Sequence, residues 1–372
     1  MSDSRLLERF VSLCEIASPT GHERELADWL ARDLRAAGLE VSEDGAAGPA
    51  RAGSGNLIAR LPGSGEGWVM FCAHIDTVPH PEPIEVALDS EGVFRSRGET
   101  ILGADNKAAV TVIAELAARW AEASEPPPVG IELAFTVAEE DGLRGAKELD
   151  LSTLASRVGF VLDHASPIGE LITAAPTYMR LMAEFEGVEA HAGIRPEDGV
   201  SAISAAAAGV ESMKLGRIAP ETTANVGVIS GGTATNVVAG HCTLDAEARS
   251  LDDETARSEI GKMVDACTWA ASERSCDVDC DVWEMFRAYR LSGSDPGLRL
   301  AKAGLERCGI EPVERTTGGG SDANALIARG FDAVLLANGT EANHTAQESV
   351  AADRLVEMLA VCEAIVAGAA EL

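Results

Sequence analysis

The chain has 372 residues, of which 46% are hydrophobic and 24% charged, and its formal net charge at pH 7 is −30. This length suits one large domain or two ordinary ones, and the composition is that of a globular protein. The strong negative charge argues against nucleic acid and anionic membranes as partners, because binding to a phosphate backbone requires a positive surface.

Helices alternate with continuous apolar strands through the first half of the chain. Amphipathic patterns predict helices at 4–17 and 22–38, and an alanine-rich run predicts a long helix at 106–123. Apolar runs such as "GWVMFCAHID", "IELAFTVA" and "VGFVLD" predict buried strands. This alternation predicts an α/β fold in which a mostly parallel sheet has helices on both faces.

The pattern changes near residue 176, where "TYMRLMAEFEGVEA" alternates like a half-exposed antiparallel strand. Two helices and three further strands follow, and the resulting order, βαββαβ, is that of a split βαβ sandwich. From Ser294 the alternation of helices and strands returns. We therefore predict one α/β domain at 1–175 and 291–372, interrupted by an inserted α+β domain at 176–290.

Ionisable side chains follow the carboxyl ends of several predicted strands, where open α/β sheets place their sites. Imidazoles and carboxylates at neighbouring strand ends form a mixed nitrogen and oxygen ligand set for a metal. The residues of this set that we expect to bind metal are His74, Asp105, Glu140, Asp163 and His344. Glu139 and Asp76 lie beside them in the sequence.

Five such ligands are too many for one catalytic ion, which typically keeps three protein ligands and one open position. The set therefore favours two ions with one bridging carboxylate, an arrangement that activates a shared water and polarises a carbonyl. Of the two remaining carboxylates, one can act as a base and the other can orient a histidine. The adjacent Glu139 and Glu140 could instead be ordinary turn residues, but the other candidate metal ligands favour a catalytic or metal-binding role for them.

Seven segments resemble, in family order, the motifs of the M20 family of di-zinc metallopeptidases, nearest to its peptidase T-like (tripeptide aminopeptidase-like) branch. They are "HIDTVP", "GADNKAAV", "AEEDGLRGA", "AHAG", "GGTATNVVAG", "GGGSDANAL" and "NHTAQESV". The resemblance covers nearly the whole chain. It implies a zinc-exopeptidase-like fold, an inserted lid and dimerisation domain, and metal-dependent hydrolysis of short peptides, foremost as an aminopeptidase.

The resemblance also implies a role for each ligand. His74 and Asp163 would hold one metal ion, and Glu140 and His344 would hold the other. Asp105 would bridge the two ions. Zinc is the expected metal, and manganese and cobalt stay open because both also accept histidine and carboxylate ligands.

Further roles follow from the same resemblance. Glu139 would be the general base, and Asp76 would orient His74. A cis peptide bond would join Asp105 to Asn106. His191, in the inserted domain, would reach the active site of a partner subunit in a homodimer and stabilise the oxyanion.

The substrate-binding residues implied by the resemblance lie in two segments. Asn236 and Arg249, in the inserted domain, would bind the substrate backbone or carboxylate. Gly319 and Ser321 belong to a glycine-rich loop that would let the backbone approach the substrate closely.

Two alternatives remain beside the aminopeptidase. The first is an N-acyl-amino-acid deacylase or a carboxypeptidase of the same family. Members of those branches usually carry glutamate at the position of Asp163, so the aspartate favours a peptide substrate. A catalytically silent metal-binding or peptide-binding module is the other alternative, and the intact set of ligands and base disfavours it.

The compartment is expected to be the cytoplasm. The eight cysteines are scattered without a paired framework, as is typical of free thiols in a reducing environment. No apolar stretch reaches the about 20 residues that span a bilayer, and the start of the chain lacks a signal-peptide core.

Overall fold

The computed structural model describes residues 2–81 and 83–371. They form two compact units. Unit 1 comprises Met1–Ala174, Arg290–Thr317 and Ser321–Leu372, and unit 2 comprises Ala175–Tyr289 and Gly318–Gly320. The assignment of a catalytic domain to 1–175 and 291–372, and of a lid and dimerisation domain to 176–290, stays a prediction.

The chain up to residue 175 forms four helices and eight strands within the described residues. They are α1 (Ser2–Cys14), α2 (Arg24–Ala36), β1 (Glu40–Glu43), β2 (Leu57–Leu61), β3 (Trp68–His74), β4 (Val86–Leu88), β5 (Val93–Ser96), α3 (Ala104–Glu122), β6 (Gly130–Thr136), α4 (Arg144–Glu148), β7 (Val158–His164) and β8 (Glu170–Ala175). A short 3₁₀ helix lies at Leu151–Thr153.

The next segment, in unit 2, forms five strands and two helices. They are β9 (Thr177–Glu186), α5 (Ala202–Ser212), β10 (Gly216–Ala219), β11 (Thr222–Gly231), β12 (His241–Ser250), α6 (Asp253–Glu273) and β13 (Asp277–Phe286). The strands form one antiparallel sheet in the order β10-β11-β12-β9-β13. The short strand β10 is an addition to the predicted βαββαβ order.

The remaining elements complete the chain. They are β14 (Tyr289–Arg290), α7 (Pro296–Arg307), β15 (Val313–Thr316), α8 (Asp322–Ala328), β16 (Asp332–Ala337), β17 (Thr340–Glu341), β18 (Ser349–Ala351) and α9 (Ala352–Gly368). Short 3₁₀ helices lie at Pro196–Asp198 and Ala369–Glu371.

The large sheet of unit 1 has the order β1-β2-β6-β3-β7-β16-β8-β14, and β15 pairs with β8. Its central strands β6, β3, β7 and β16 are mutually parallel, whereas β1 and β2 pair antiparallel at the edge. Every residue of β6 is buried, as expected for a strand covered on both faces. The predicted α/β fold is therefore confirmed.

A second, smaller sheet of unit 1 has the order β17-β18-β5-β4. Its strands have two to four residues, too few for a hydrophobic period to appear in the sequence. All eight cysteines are free thiols, as predicted. No helix in the described ranges is long and apolar enough to cross a membrane.

Candidate metal centre

His74 is the last residue of β3, and its ring is held in one orientation. The nitrogen Nδ1 lies 3.0 Å from the backbone carbonyl oxygen of Asp76 and 3.5 Å from the carboxylate oxygen Oδ1 of the same residue. Donation from Nδ1 to the carbonyl leaves Nε2 without a proton in the neutral ring, which suits metal binding. The side chain of His74 is 2% exposed.

The backbone after β6 turns sharply at Ala138, which has a φ of +50°. The carboxylate of Asp76 receives the two backbone N–H groups that follow, from Glu139 at 2.9 Å and from Glu140 at 3.2 Å. The hydroxyl of Thr20 donates to the same carboxylate at 2.7 Å. The two glutamates are therefore held in a fixed loop at the strand end, which differs from an ordinary solvent-exposed turn.

Asp105 lies between two histidines. Its Oδ1 is 3.3 Å from Nε2 of His74, and its Oδ2 is 3.1 Å from Nε2 of His344. The predicted cis peptide bond between Asp105 and Asn106 is present. A carboxylate with one oxygen directed to each histidine has the geometry expected of a bridging ligand.

Asp163 and Glu140 complete the two sides of this arrangement. Oδ1 of Asp163 is 3.4 Å from Nε2 of His74, and Oε1 of Glu140 is 3.0 Å from Nε2 of His344. Both carboxylate side chains are 9% exposed, whereas that of His344 is 49% exposed. The centre is thus buried on the side of His74 and open to solvent beside His344.

Ligand atoms converge in two overlapping groups among the described residues. One atom from each of His74, Glu139 and Asp163 lies within 4.8 Å of the others, and the same is true of His74, Asp105 and Glu140. His164, the neighbour of Asp163, belongs to neither group.

The electrostatics of the centre are dominated by buried carboxylates. Burial raises the pKa of Glu139 well above its usual range, and the carboxylate of Asp163 adds to this shift. Burial also raises the pKa of Asp163 to about 7. The pKa of His344 is raised to about 10 by its close contacts with the carboxylates of Asp105 and Glu140. A bound cation would offset the repulsion among these carboxylates.

Two observations show that the residues fit a divalent metal: the chemistry of their donor atoms, and buried carboxylate oxygens that lack a hydrogen-bond donor. Oδ1 of Asp105 and Oε1 of Glu140 are buried and accept no well-aligned hydrogen bond. Imidazole nitrogen and carboxylate oxygen together suit zinc, manganese or cobalt. This chain therefore contains a histidine and carboxylate group that can hold a divalent metal.

The residues predicted to act from the inserted domain belong to unit 2. His191 is exposed, and its Nδ1 accepts the N–H of Gly193 at 3.2 Å, so Nε2 carries the proton of the neutral ring. The backbone carbonyl of Asn236 accepts the N–H of Ala192 at 2.9 Å. Unit 2 thus brings His191 and Asn236 into one local structure.

Arg249, also in unit 2, contacts three residues. Glu247 accepts from its Nε at 3.1 Å and from its Nη2 at 2.9 Å. The carbonyl of Gly318, next to Gly319 in the glycine-rich loop, accepts from Nη1 at 3.0 Å. The guanidinium also lies 4.2 Å from the ring centroid of Tyr178.

Ser321, in unit 1, is buried and caps α8. Its hydroxyl accepts the N–H of Ala323 at 3.3 Å, and Oδ1 of Asn324 accepts the N–H of Ser321 at 3.1 Å. This reciprocal arrangement is a capping box. Direct contact of Ser321 with substrate stays a prediction.

Two buried carboxylates of unit 1, those of Asp322 and Glu348, were not predicted from the sequence to have a role. Asp322 is 1% exposed and accepts from the hydroxyl of Thr136, the residue paired with His74 across β3 and β6. Glu348 is 2% exposed and accepts backbone N–H groups from the segment that carries Asp105. Both lie within recognised motifs, but no local pattern indicates their long-range partners.

Comparison with known families assigns most of unit 2 and part of unit 1. Residues 174–275 match the M20 peptidase dimerisation domain. Residues 56–167 match peptidase family M28. Both matches are to peptidases, and each covers less than half of the chain.

Full-length relatives extend this result. The chain is 36% identical to YqjE of Bacillus subtilis, an uncharacterised protein, over the whole length of both. Its structure is similar to that of aminopeptidase PepT from Bacillus cereus, with a TM-score of 0.86, 37% identity and 99% of each chain covered. The similarity to a Staphylococcus aureus tripeptidase has a TM-score of 0.92 and 33% identity, covering 100% of this chain and 99% of the other.

The chain belongs to the peptidase T-like branch of the M20 metallopeptidase family. Membership of the M20 family makes it a metal-dependent hydrolase of peptide bonds. The fold and the family expected from the sequence motifs are both confirmed.

Proposed function

We propose that this M20 chain is a di-metal aminopeptidase that removes the N-terminal residue from short peptides, foremost tripeptides. The observation that carries the proposal is the position of Asp105, whose two oxygens face His74 and His344 at 3.3 and 3.1 Å. The similarity to an aminopeptidase and a tripeptidase over nearly the full length supports the substrate class.

The five ligand residues divide naturally between two ions. His74 and Asp163 would hold one, since they lie 3.4 Å apart. Glu140 and His344, 3.0 Å apart, would hold the other. Asp105 would serve both, and zinc is the expected metal at each position.

Bound at this centre, the two ions would lower the pKa of a water molecule and polarise the scissile carbonyl. Glu139 accepts the proton of the attacking water and delivers it to the leaving amine. The backbone of Glu139 is fixed by its N–H···Asp76 hydrogen bond, so the base keeps its place through the cycle. Asp76 also fixes His74 through its backbone carbonyl.

Unit 2 would contribute the remaining groups. The Nε2–H of His191 suits donation to the oxyanion of a tetrahedral intermediate. Asn236, Arg249 and Gly319 would bind the peptide, and the contact between Arg249 and the glycine-rich loop supports a common role for them. The match of residues 174–275 to a peptidase dimerisation domain supports a homodimer, in which His191 would serve the partner's centre. A cytoplasmic location remains part of the proposal.

The test is a substrate panel on zinc-loaded protein, with and without a chelator, read by mass spectrometry. It contains tripeptides, dipeptides, N-acetyl amino acids and peptides blocked at the N-terminus. Chelator-sensitive loss of the N-terminal residue from tripeptides is the expected result. Cleavage confined to acylated substrates would move the protein to the deacylases and would refute the aminopeptidase proposal.

The role of Glu139 is tested by Glu139→Gln, which keeps the shape of the side chain but removes the base. We expect kcat to fall by about 10²–10⁴-fold, with the metal content unchanged. The control is Glu148→Gln, the same substitution at an exposed position of α4. Turnover close to wild type in Glu139→Gln would remove Glu139 from the mechanism.

A further inference from the structure

Glu348 carries a buried carboxylate that accepts hydrogen bonds from backbone N–H groups of the described residues. The residue is 2% exposed. Oε2 accepts the N–H groups of Leu102 and Gly103, both at 2.8 Å, and Oε1 accepts the N–H of Asp105, also at 2.8 Å. Three short hydrogen bonds to one carboxylate fix this backbone segment firmly, since hydrogen bonds to a charged acceptor are the strong ones.

The segment held in this way is the one that carries the proposed bridging ligand. Gly103 has a φ of +73° and lies at the start of α3, so the backbone changes direction here. Asp105 follows two residues later and has non-helical backbone angles. The direction of its carboxylate depends on the backbone that Glu348 holds.

The other end of the connection lies in the loop that carries His344. This loop has left-handed backbone angles at Ala342 and His344, with φ of +54° and +64°, which non-glycine residues adopt only when their surroundings hold them. The N–H of Glu348 donates to the carbonyl of Thr345 at 3.1 Å, and β18 begins at the next residue. Glu348 therefore closes the His344 loop while its side chain holds the Asp105 segment.

We propose that Glu348 is a positioning residue that sets the separation of Asp105 and His344 and so creates the second metal position. The inference rests on the proposed di-metal centre. Among the described residues, Glu348 acts on the ligands through two backbone segments rather than through the ligand atoms. The side of His74 and Asp163 depends on β3 and β7 instead, which pair with each other in the sheet.

The two metal positions should consequently respond unequally to a change at Glu348. In Glu348→Gln, one carboxylate oxygen becomes an NH₂ group that cannot accept a hydrogen bond. The side chain can then keep either the bond to Asp105 or the pair to Leu102 and Gly103, but not all three. Loss of a partner that orients a metal ligand typically weakens metal binding by about 10–100-fold. We expect the larger loss at the second ion, because the ligands of the first ion other than Asp105 lie on the paired strands β3 and β7.

The matched control is Glu132→Gln. Glu132 is also a fully buried glutamate that accepts backbone N–H groups, from Ala155 and Ser156 at 3.1 Å. It lies near the start of β6, whereas the proposed site follows the end of that strand. A merely structural effect of Glu→Gln would appear in both variants, and an effect on the second ion should appear only in Glu348→Gln.

The experiment titrates metal-free protein with zinc by calorimetry and repeats the titration with cobalt, whose visible absorption reports coordination. Urea unfolding of the metal-free proteins gives their stability separately. The expected result is two ions for the wild type and Glu132→Gln, and a second step weakened by about 10–100-fold for Glu348→Gln. The second zinc step of Glu348→Gln should be weakened even if metal-free Glu348→Gln is as stable in urea as metal-free Glu132→Gln.

Equal zinc affinities at both steps in Glu348→Gln and the wild type would overturn the positioning role. Equal weakening of both steps would overturn it as well, because the effect would then not be specific to the His344 side. A wild type that binds fewer than two ions would instead overturn the di-metal centre itself. If Glu348→Gln does not fold, Glu348→Asp, which keeps the charge on a shorter side chain, is measured in the same way.

Discussion

Replacing Asp76 with alanine should separate its two structural roles. The carboxylate accepts the N–H groups of Glu139 and Glu140 and the hydroxyl of Thr20. His74, however, is closest to the backbone carbonyl of Asp76, which the substitution retains. We therefore expect metal binding at His74 to survive and the loop with the two glutamates to lose its anchor.

The magnitude follows from the groups left without partners. The N–H groups of Glu139 and Glu140 lose their acceptor in a site where Asp76 is 0% exposed. The buried N–H of Glu139, left unpaired, costs about 1–3 kcal/mol. The N–H of Glu140 is only partly buried and costs less. The hydroxyl of Thr20 adds little, because another carbonyl lies 3.4 Å away as an alternative acceptor.

The assay combines urea unfolding of the metal-free protein with kcat/KM for a tripeptide. Displacement of the base should lower kcat/KM by about 10–100-fold, as is usual for residues that orient an active site. The control is Asp150→Ala, because exposed Asp150 also accepts a backbone N–H and a hydroxyl, both from Ser152. Its loss should change the stability much less than the loss of Asp76, because water can replace an exposed acceptor. A stability change below about 1 kcal/mol in Asp76→Ala, with unchanged activity, would refute the reasoning.

Two further predictions concern the charges of unit 1. A chelator should lower the unfolding temperature of zinc-loaded protein, since bound metal stabilises the native state by about 2.7 kcal/mol at a hundredfold excess over Kd; an unchanged temperature in a thermal scan would contradict a metal centre. Glu115→Gln should cost about 3–5 kcal/mol in urea unfolding, because it removes the buried partner of three arginines, whereas Glu43→Gln, in a partly exposed pair, should cost about 1 kcal/mol or less. Equal costs would show that burial does not decide the effect. The three arginines are Arg5, Arg9 and Arg119.

The sequence predicted the main sheet and pointed to the proposed metal ligands because both leave local signals. A strand buried on both faces must be apolar throughout, so β3, β6 and β7 stand out as uninterrupted runs. Charged residues at the ends of such runs are conspicuous for the same reason. The motif order then identified the family, which the full-length relatives confirm.

Short elements and their partners were not predictable in this way. The strands of the small sheet are too short to show a period, yet β18 is the strand that follows the His344 loop. The extra strand β10 in unit 2 has only four residues. The hydroxyl of Ser321 caps a helix, a contact that was not predicted from the sequence.

The sequence by itself determined which residue types are available for chemistry and which strand ends carry them. Only the tertiary structure decided how they are held. The carboxylate of Asp76 accepts hydrogen bonds from the backbone N–H groups of Glu139 and Glu140, which lie 63 and 64 residues away in the chain. The carboxylate of Glu348 accepts one from the N–H of Asp105, 243 residues away. Such contacts arise when separate segments fold against one sheet, and no local pattern of hydrophobicity or turn residues encodes them.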